Sequence, residues 1–375
     1  MSQRSFIFDS YTLPSGVTLK NRVLMAPMTN FLSNDDGSVS DKEIEYYQRR
    51  SGGVGAVITA CANVNEAGKG FDGEIGADRD ELIPGLRRLS DAIHEKGAKA
   101  ILQIFHGGRM CPPHLIPNED VVSASAVASL RPNAVTPREM TEEEIQQTIK
   151  DFGEATRRAI EAGFDGVEIH GANTYLIQQF FSPHSNRRAD QWGGNVEERM
   201  NFPLAVVESV QQAVRNHAST SFIVGYRLSP EEKEEPGITI DDTLQLVDVL
   251  AKQNLDYLHI SLSKFKQGSI RDEQDTKPRL EMIQERVGSL VPVMGVGTLI
   301  TPDEVEKALA EVPLISIGRE LLMEPDWVEK VQSEHEDELR LTMKKKQKED
   351  LLIPEPMWSK ILSVPNWFPL DEDEQ

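Results

Sequence analysis

The sequence of 375 residues has little cysteine, an excess of acid over base, and no long hydrophobic run. Only Cys61 and Cys111 occur, too few for a disulfide framework or for a cysteine-rich iron–sulfur or zinc site. No apolar stretch approaches the length needed to span a bilayer, and the first residues lack the apolar core of a signal peptide. We therefore expect a cytoplasmic protein with neither a membrane segment nor a metal centre.

Positive charge is also scarce. The 61 acidic and 40 basic residues give a formal net charge of −21, which disfavours nucleic acid or an anionic membrane surface as a partner. The hydrophobic fraction of 39% is enough for a substantial core. A small molecule is the expected partner.

A repeated pattern of apolar run, loop and amphipathic helix dominates the chain. The apolar runs lie at 23–29, 55–60, 99–105, 166–170, 222–228, 257–261, 291–296 and 314–318. Nearly all-apolar strands, each followed by a helix, indicate a parallel sheet buried on both faces, and eight such units predict a (β/α)₈ TIM barrel. A glycine-rich dinucleotide fingerprint does not follow the first strand, which weakens the doubly wound alternative.

Three additions to the bare barrel are predicted. A β-hairpin is expected over 6–19, turning at Pro14 to Gly16. A long, proline-containing loop, 107–140, follows the third strand and suggests a lid or a substrate wall. The barrel is expected to span 1–335, and 336–375 forms a C-terminal extension, with a mixed-charge helix over 329–350. Its aromatic residues are expected to pack on the barrel or on a partner subunit, as in a possible homodimer.

The most informative stretch follows the fourth strand, where His170, Asn173 and Tyr175 lie within six positions. His170 and Asn173 can both donate hydrogen bonds to one oxygen, and a tyrosine phenol stays protonated at neutral pH. Two neutral donors and a weak acid suit a reaction in which a carbonyl becomes an enolate and a nearby carbon takes a proton. The alternative for these residues is a satisfied polar cluster at a strand end.

The next residues extend this HxxNxY pattern with SPxxNxRxDxxGGxxxxR, from Ser182 to Arg199. Together the two strings resemble the Old Yellow Enzyme family of flavin-dependent ene reductases. Further similar positions are APMT at 26–29, the glutamine of LQIFHGGR, the arginine of GYRLS and the GRELL segment at 318–322. The resemblance covers roughly residues 5–335. It implies that His170 and Asn173 hold the substrate carbonyl and that Tyr175 delivers the proton.

Residues at the predicted strand ends suit a flavin phosphate and ring. Gly297 and Gly318 let the backbone approach a phosphate closely, and Arg319 can pair with its oxygens. Gln103 and Arg227 offer an amide and a cation for the pyrimidine edge of an isoalloxazine ring. For Arg227 the alternative is an internal ion pair with Glu168.

The resemblance also implies non-covalent FMN, with NADH or NADPH as the reductant. Ala26, Pro27, Met28 and Thr29 would lie along the ring, Thr29 either bonding the ring carbonyl or only capping a loop. Cys61 would lie beside the ring, as a redox-tuning thiol or as a small apolar filler. Phe31 would contact the substrate.

These observations predict an FMN-dependent NAD(P)H oxidoreductase that reduces electron-poor alkenes, namely α,β-unsaturated carbonyl or nitro compounds. The alternative is a flavin-free (β/α)₈ barrel that binds or cleaves a phosphorylated metabolite. That alternative explains Gly297, Gly318 and Arg319 but leaves His170 and Tyr175 without a role.

Overall fold

The structure is a computed structural model, and it describes residues 4–365 and 367–371. Eight parallel strands form a closed barrel. They are β1 Val23–Met25, β2 Ala56–Asn63, β3 Lys99–Phe105, β4 Gly166–Gly171, β5 Ile223–Leu228, β6 Tyr257–Ile260, β7 Val293–Val296 and β8 Leu314–Ile317. Each pairs with the next in order, and β1 pairs with both β8 and β2, which closes the sheet. The predicted TIM barrel is confirmed.

Helices cover the outside of the barrel. The main ones are α1 Asp41–Gln48, α2 Ile83–His94, α3 Glu142–Glu161, α4 Asn201–His217, α5 Ile240–Leu250, α6 Arg279–Val287, α7 Pro302–Leu309, α8 Trp327–Gln332 and, in the extension, α9 Glu355–Ser363. Several begin where their caps predict. Thr141 with Glu144 and Thr301 with Glu304 each form a reciprocal capping box, which satisfies backbone N–H groups that the first helical turn leaves unpaired.

The first strand is shorter than its apolar run predicts. It ends at Met25, although the Ala26 N–H still donates to the Ile317 carbonyl over 2.8 Å. Pro27 has no N–H to continue the ladder. The segment 26–29 therefore leaves the sheet and lies across the carboxyl end of the barrel, where the site forms.

At the N-terminus the predicted hairpin is correct only in part. Tyr11–Thr12 pairs antiparallel with Thr18–Leu19 around a turn at Gly16. Residues Ser5–Phe8 form a helical turn rather than a strand.

The expected helix over 329–350 is wrong. Helix α8 ends at Gln332, and Glu334 takes a left-handed backbone conformation with φ of 63°. The His335 N–H then donates to the Lys330 carbonyl over 2.8 Å, a bond that closes a helix at its C-terminus. Only short 3₁₀ turns follow, at Glu336–Glu338 and Lys345–Gln347.

The extension beyond residue 335 packs on the barrel of its own chain. Trp358, Ile361 and Phe368 are buried in the same core cluster as barrel residues. The aromatic burial that the sequence predicts therefore occurs within one chain. Parts of the predicted domains, 1–3, 366 and 372–375, lie outside the described residues.

Candidate active site

The carboxyl ends of the strands enclose two adjoining cavities. The smaller, about 70 Å³, is lined by Pro27, Met28, Thr29, Cys61, Gln103, His170, Asn173, Tyr175 and Arg227. The larger, about 500 Å³, shares Pro27, Met28, Thr29 and Arg227 and adds, among others, Ala26, Phe31, Gly297, Gly318 and Arg319. Every site residue that the sequence analysis selected thus lines one cavity or the other, although strands far apart in the chain carry them.

His170 is the last side chain before β4 gives way to its loop, and it is buried. Its Nδ1 accepts the Ala172 N–H over 3.3 Å, so in the neutral ring the proton sits on Nε2, which can donate to a ligand. Burial, with the charge of Arg227, lowers the pKa of His170 from 6.5 to about 3. The imidazole is therefore a neutral hydrogen-bond donor at physiological pH.

Asn173 and Thr174 form the turn after β4, with φ of 56° and 69°. The Asn173 N–H donates to Ser229 Oγ over 3.0 Å, and its Oδ1 accepts from Ser261 Oγ over 2.9 Å. Because the carbonyl side of the amide is held by Ser261, the amide NH₂ remains available as a donor. The left-handed turn is one that asparagine tolerates better than most residues.

Tyr175 stands against His170 and Phe105. Its ring lies nearly perpendicular to both, at centroid distances of 5.0 Å and 4.9 Å. Burial is the largest of several causes that raise the pKa of Tyr175 above its usual value near 10. The phenol is thus held by packing and kept protonated, as a proton donor must be.

A buried polar network lies beneath the cavities, and the sequence analysis did not find it. The Glu168 carboxylate accepts from Gln103 Nε2 over 2.7 Å and lies 2.9 Å from His259 Nδ1. His259 Nε2 in turn lies 2.9 Å from the hydroxyl of Ser316, which lines the larger cavity. Burial would raise the pKa of Glu168, but His259, Arg227 and Gln103 together hold it below its usual value. The network fixes one end of the Gln103 amide and leaves its carbonyl for a ligand.

Arg227, like Gln103, is fixed at one end and leaves hydrogen-bonding groups free for a ligand. One Nη donates to Ser261 Oγ over 3.2 Å, and Nε is buried without a hydrogen-bond partner among the described residues. No ion pair within 4.0 Å joins Arg227 to Glu168 in the part of the chain that the structure describes, because the carboxylate is occupied by Gln103 and His259. Arg227 therefore presents an unsatisfied buried cation to the cavity.

The far end of the larger cavity carries the features of a phosphate site. Gly297 has φ of 126°, a left-handed conformation that favours glycine. A Cβ at Gly318 would approach Met28 Sδ to 3.1 Å and narrow the space. One Arg319 Nη donates to Thr298 Oγ1 over 2.6 Å and the other to the Trp367 carbonyl over 3.0 Å. Thr298, also missed from the sequence, thus orients the cation.

Cys61 is a free, buried thiol in the wall of the smaller cavity. Burial raises its pKa well above the usual value, and the charge of Glu74 adds to the effect. A thiol that stays protonated is a poor nucleophile, so this environment favours Cys61 as a small filler.

A parallel barrel with a phosphate-type pocket at β7 and β8, an unsatisfied cation at β5 and a donor pair at β4 fits the class of flavin-dependent oxidoreductases. Comparisons with known proteins agree. Residues 7–338 match the family model described as NADH:flavin oxidoreductase / NADH oxidase family. The chain belongs to this family.

Two relatives show how far the likeness extends. The probable NADH-dependent flavin oxidoreductase YqiG of Bacillus subtilis is 48% identical over 97% of both chains. The NADH:acrylate oxidoreductase of Vibrio harveyi is 48% identical over 94% of this chain. The chain spans 35% of the latter's length, so that relative's activity belongs to a much longer protein.

Solved structures support the fold. Morphinone reductase in complex with tetrahydroNAD has a TM-score of 0.74 and 27% identity, covering 88% of this chain and 91% of its own. The Old Yellow Enzyme homologue of Zymomonas mobilis has a TM-score of 0.76 over 88% of this chain and 92% of its own, at 24% identity. The resemblance stated from the sequence is confirmed.

The cofactors follow from the family: FMN, and NADH or NADPH as the reductant. The residues present fit FMN on structural grounds. The orphaned Nε of Arg227 and the free carbonyl of Gln103 meet the needs of a ring edge, and the glycine-lined end beside Arg319 meets those of a phosphate. Family membership also supports this assignment over the flavin-free barrel. In the part of the chain that the structure describes, no helix is long and apolar enough to cross a membrane.

Proposed function

We propose that this chain is an FMN-dependent NAD(P)H oxidoreductase that reduces electron-poor alkenes, namely α,β-unsaturated carbonyl or nitro compounds. One observation carries the proposal. His170, Asn173 and Tyr175 line the same small cavity as Met28, Thr29, Gln103 and Arg227, so donors and acid face the residues assigned to the flavin ring.

Each of the three groups has a distinct task. His170 Nε2 and the Asn173 amide bind the carbonyl or nitro oxygen of the substrate, each donor contributing about 3 kcal/mol as negative charge develops there. Bound FMN would supply the hydride that the β-carbon receives. The Tyr175 phenol donates its proton to the α-carbon, and positioned acid catalysis of this kind typically contributes about 10²- to 10⁴-fold.

A second candidate is NADH oxidation with electrons passed to oxygen. The family description includes NADH oxidases, and the NADH oxidase of Thermoanaerobacter brockii is 35% identical over 86% of this chain and 50% of its own length. The acrylate and fumarate relatives are matched over only 35% and 39% of their length, so their alkene chemistry could lie in other parts of those proteins. The two candidates share the reductive step and differ in the acceptor.

Tyr175→Phe tests the proposed acid, and the acceptors that reoxidise the wild type separate the two candidates. The variant removes the acidic proton but keeps the ring that packs on His170 and Phe105. We expect anaerobic bleaching of the flavin by NADH or NADPH at the wild-type rate, and reoxidation by 2-cyclohexenone slowed at least about 10²-fold.

Tyr226→Phe is the matched control, because Tyr226 is buried on β5 but does not line the two cavities. It should leave both steps unchanged. Unchanged reoxidation of Tyr175→Phe by the enone would reject Tyr175 as the donor. Wild-type flavin that oxygen reoxidises, but that no enone or nitroalkene does, would favour the second candidate.

We further propose a cytoplasmic location, in keeping with two free buried cysteines, and a division of the chain near residue 335 into barrel and extension. A homodimer stays a prediction. Analytical ultracentrifugation of the purified protein tests it.

A further inference from the structure

The extension takes part in the site. Met357 and Lys360 of α9, together with Trp367, line the larger cavity beside Phe31 and Arg319. The Trp367 carbonyl accepts one of the two Arg319 hydrogen bonds, over 3.0 Å. The family match ends at residue 338, so these groups lie beyond the residues that the family model covers.

The extension is firmly seated. The buried Arg50 guanidinium donates to the Leu351 carbonyl, and Arg340 makes two contacts of 3.0 Å with the buried Glu324 carboxylate. The Met343 N–H donates to the Pro369 carbonyl over 2.9 Å. The first two contacts tie the extension to the barrel, and the third joins two parts of the extension to each other. Together they hold α9 in place over the cavity.

Lys360 is the cation that this segment brings to the mouth of the site. Its Nζ lies 4.9 Å from the centroid of the Phe31 ring, within the range of a cation–π contact. From Phe31 a row of aromatic rings leads inward through Phe71 and Phe105 to Tyr175, with successive centroids 5.7, 6.4 and 4.9 Å apart. Lys360 thus marks the outer end of a wall whose inner end is the proposed acid.

The cavity beside Lys360 is lined mainly by positive charges, in contrast to the rest of the chain. The formal net charge is −21, yet Arg227, Arg319 and Lys360 line the larger cavity with a single carboxylate, Glu320. Among the described residues, no carboxylate forms an ion pair with Lys360. Arg227 and Arg319 have places at the two ends of FMN, which leaves Lys360 as the cation without an assigned ligand.

We propose that Lys360 binds an oxyanion of the ligand that enters over Phe31. The oxyanion is a carboxylate on the alkene acceptor or a phosphate of the nicotinamide nucleotide. This inference rests on the proposed function for the site but concerns specificity rather than chemistry. A rim cation of this kind selects charged over neutral ligands and loses its effect as salt screens it.

Lys360→Met tests the proposal, because it removes the charge and keeps a long flexible side chain. Lys252→Met, at an exposed position after α5, is the control. The acceptor arm compares 4-carboxycinnamaldehyde with its neutral carboxamide in reoxidation of the reduced enzyme. The donor arm compares NADH with 1-benzyl-1,4-dihydronicotinamide, which has no phosphate, and adds the Kd of NAD⁺ from a titration of the flavin absorbance.

We expect Lys360→Met to raise the KM or Kd of the charged member of one pair about five- to twentyfold at low salt and to leave its neutral partner unchanged. A change in the acceptor arm would identify the oxyanion as the carboxylate of the alkene, and a change in the donor arm would identify it as a phosphate of the nucleotide. Added salt should raise the same KM or Kd in the wild type and should change it less in Lys360→Met. Lys360→Arg should retain the preference.

Three results would overturn the inference. Equal changes for charged and neutral ligands would make Lys360 a general support of the wall, and no change in either arm would leave it without a ligand. A weaker Kd for FMN alone would assign it to the flavin phosphate. If the wild type reduces neither aldehyde, the proposed alkene reduction fails, while the NADH and NAD⁺ measurements still decide the role of Lys360.

Discussion

His170 provides a quantitative test of the site, because its Nδ1 accepts the Ala172 N–H and can do so only in the neutral ring. The side chain is 3% exposed, and burial lowers its pKa from 6.5 to about 3. At pH 5 a histidine with the ordinary pKa would be about 97% charged, whereas His170 would be about 1% charged. Substrate binding by the Nε2 donor should therefore show no loss between pH 8 and pH 5 that arises from His170.

The same shift has a consequence for stability. Below pH 6.5 the unfolded chain binds a proton at His170, and the folded chain does not until the pH nears 3. Protons therefore favour the unfolded state across this window, and stability falls as the pH drops through 6.5. At pH 5 the effect of this one group is about 1.36 × 1.5, or about 2 kcal/mol, and at pH 7.5 it is about 0.1 kcal/mol.

His170→Asn isolates this contribution, because asparagine keeps a donor and does not titrate. The free energy of unfolding in urea is measured at pH 7.5 and pH 5.0 with saturating FMN, and the Kd for FMN is measured in each condition so that ligand binding can be subtracted. We expect the stability of the variant relative to the wild type to improve by about 2 kcal/mol between the two pH values. Enone KM of the wild type should stay flat over the same range.

His106 and His217 serve as comparisons. His106 is also buried, with its pKa lowered to about 3 by burial alone, so His106→Asn should show the same change of about 2 kcal/mol. His217→Asn, at an exposed position, gives the baseline. A relative stability of His170→Asn that is independent of pH, or an enone KM that rises near pH 6.5 only in the wild type, would refute the neutral-donor argument.

Two more variants test the surroundings of the site. Glu168→Gln removes a buried negative charge that acts on Arg227. The midpoint potential of the bound flavin should therefore rise by tens of millivolts in a dye-linked titration. An unchanged potential would show that the charge of Glu168 does not act on the flavin. The pKa of Glu324 is about 2, because the charges of Arg340 and Lys330 outweigh the effect of burial. Glu324→Gln should therefore lower the free energy of unfolding by up to about 3 kcal/mol at pH 7. The loss should shrink as the pH falls from 4.5 toward 2. A loss that does not depend on pH would contradict that assignment.

The barrel was predictable from the sequence because its strands are local apolar runs. Each needs only four to eight residues of pattern, and glycines such as Gly97 and Gly163, with φ of 83° and 82°, mark where the preceding helices end. Site residues at the ends of those strands followed from the same pattern. His170 and Arg227, for example, are direct partners in the β4–β5 register.

Glu168 and His259 were harder to predict, since each lies inside an apolar strand where its partner depends on register. Glu168 is two residues before His170 and therefore faces the same side of β4. That signal was present. The contact with His259 could not be predicted from the sequence, because it reaches from β4 past β5 to β6. Residues on strands that are not adjacent share no local sequence pattern.

The helix expected over 329–350 was mispredicted for a related reason. Its charges suggested one long helix over 329–350, but Glu336 pairs with Arg4 and Lys344 with Asp371, both distant in the chain. Arg340 turns back to Glu324 instead of pairing three or four residues along a helix. Long-range ion pairs overrode a local pattern here.

The distribution of charge gives the site a physical logic. A chain with a net charge of −21 repels an anionic nucleotide at long range, so attraction must come from cations held close to the ligand. The cavity provides them at separate depths: Arg227 is buried at the floor, Arg319 is half-buried at the phosphate end, and Lys360 is exposed at the mouth. Burial also raises the pKa of Glu320, the one carboxylate in the lining, to about 7, which reduces its opposing charge. The charges that line the larger cavity are therefore opposite in sign to the net charge of the chain, and the extension contributes one of them.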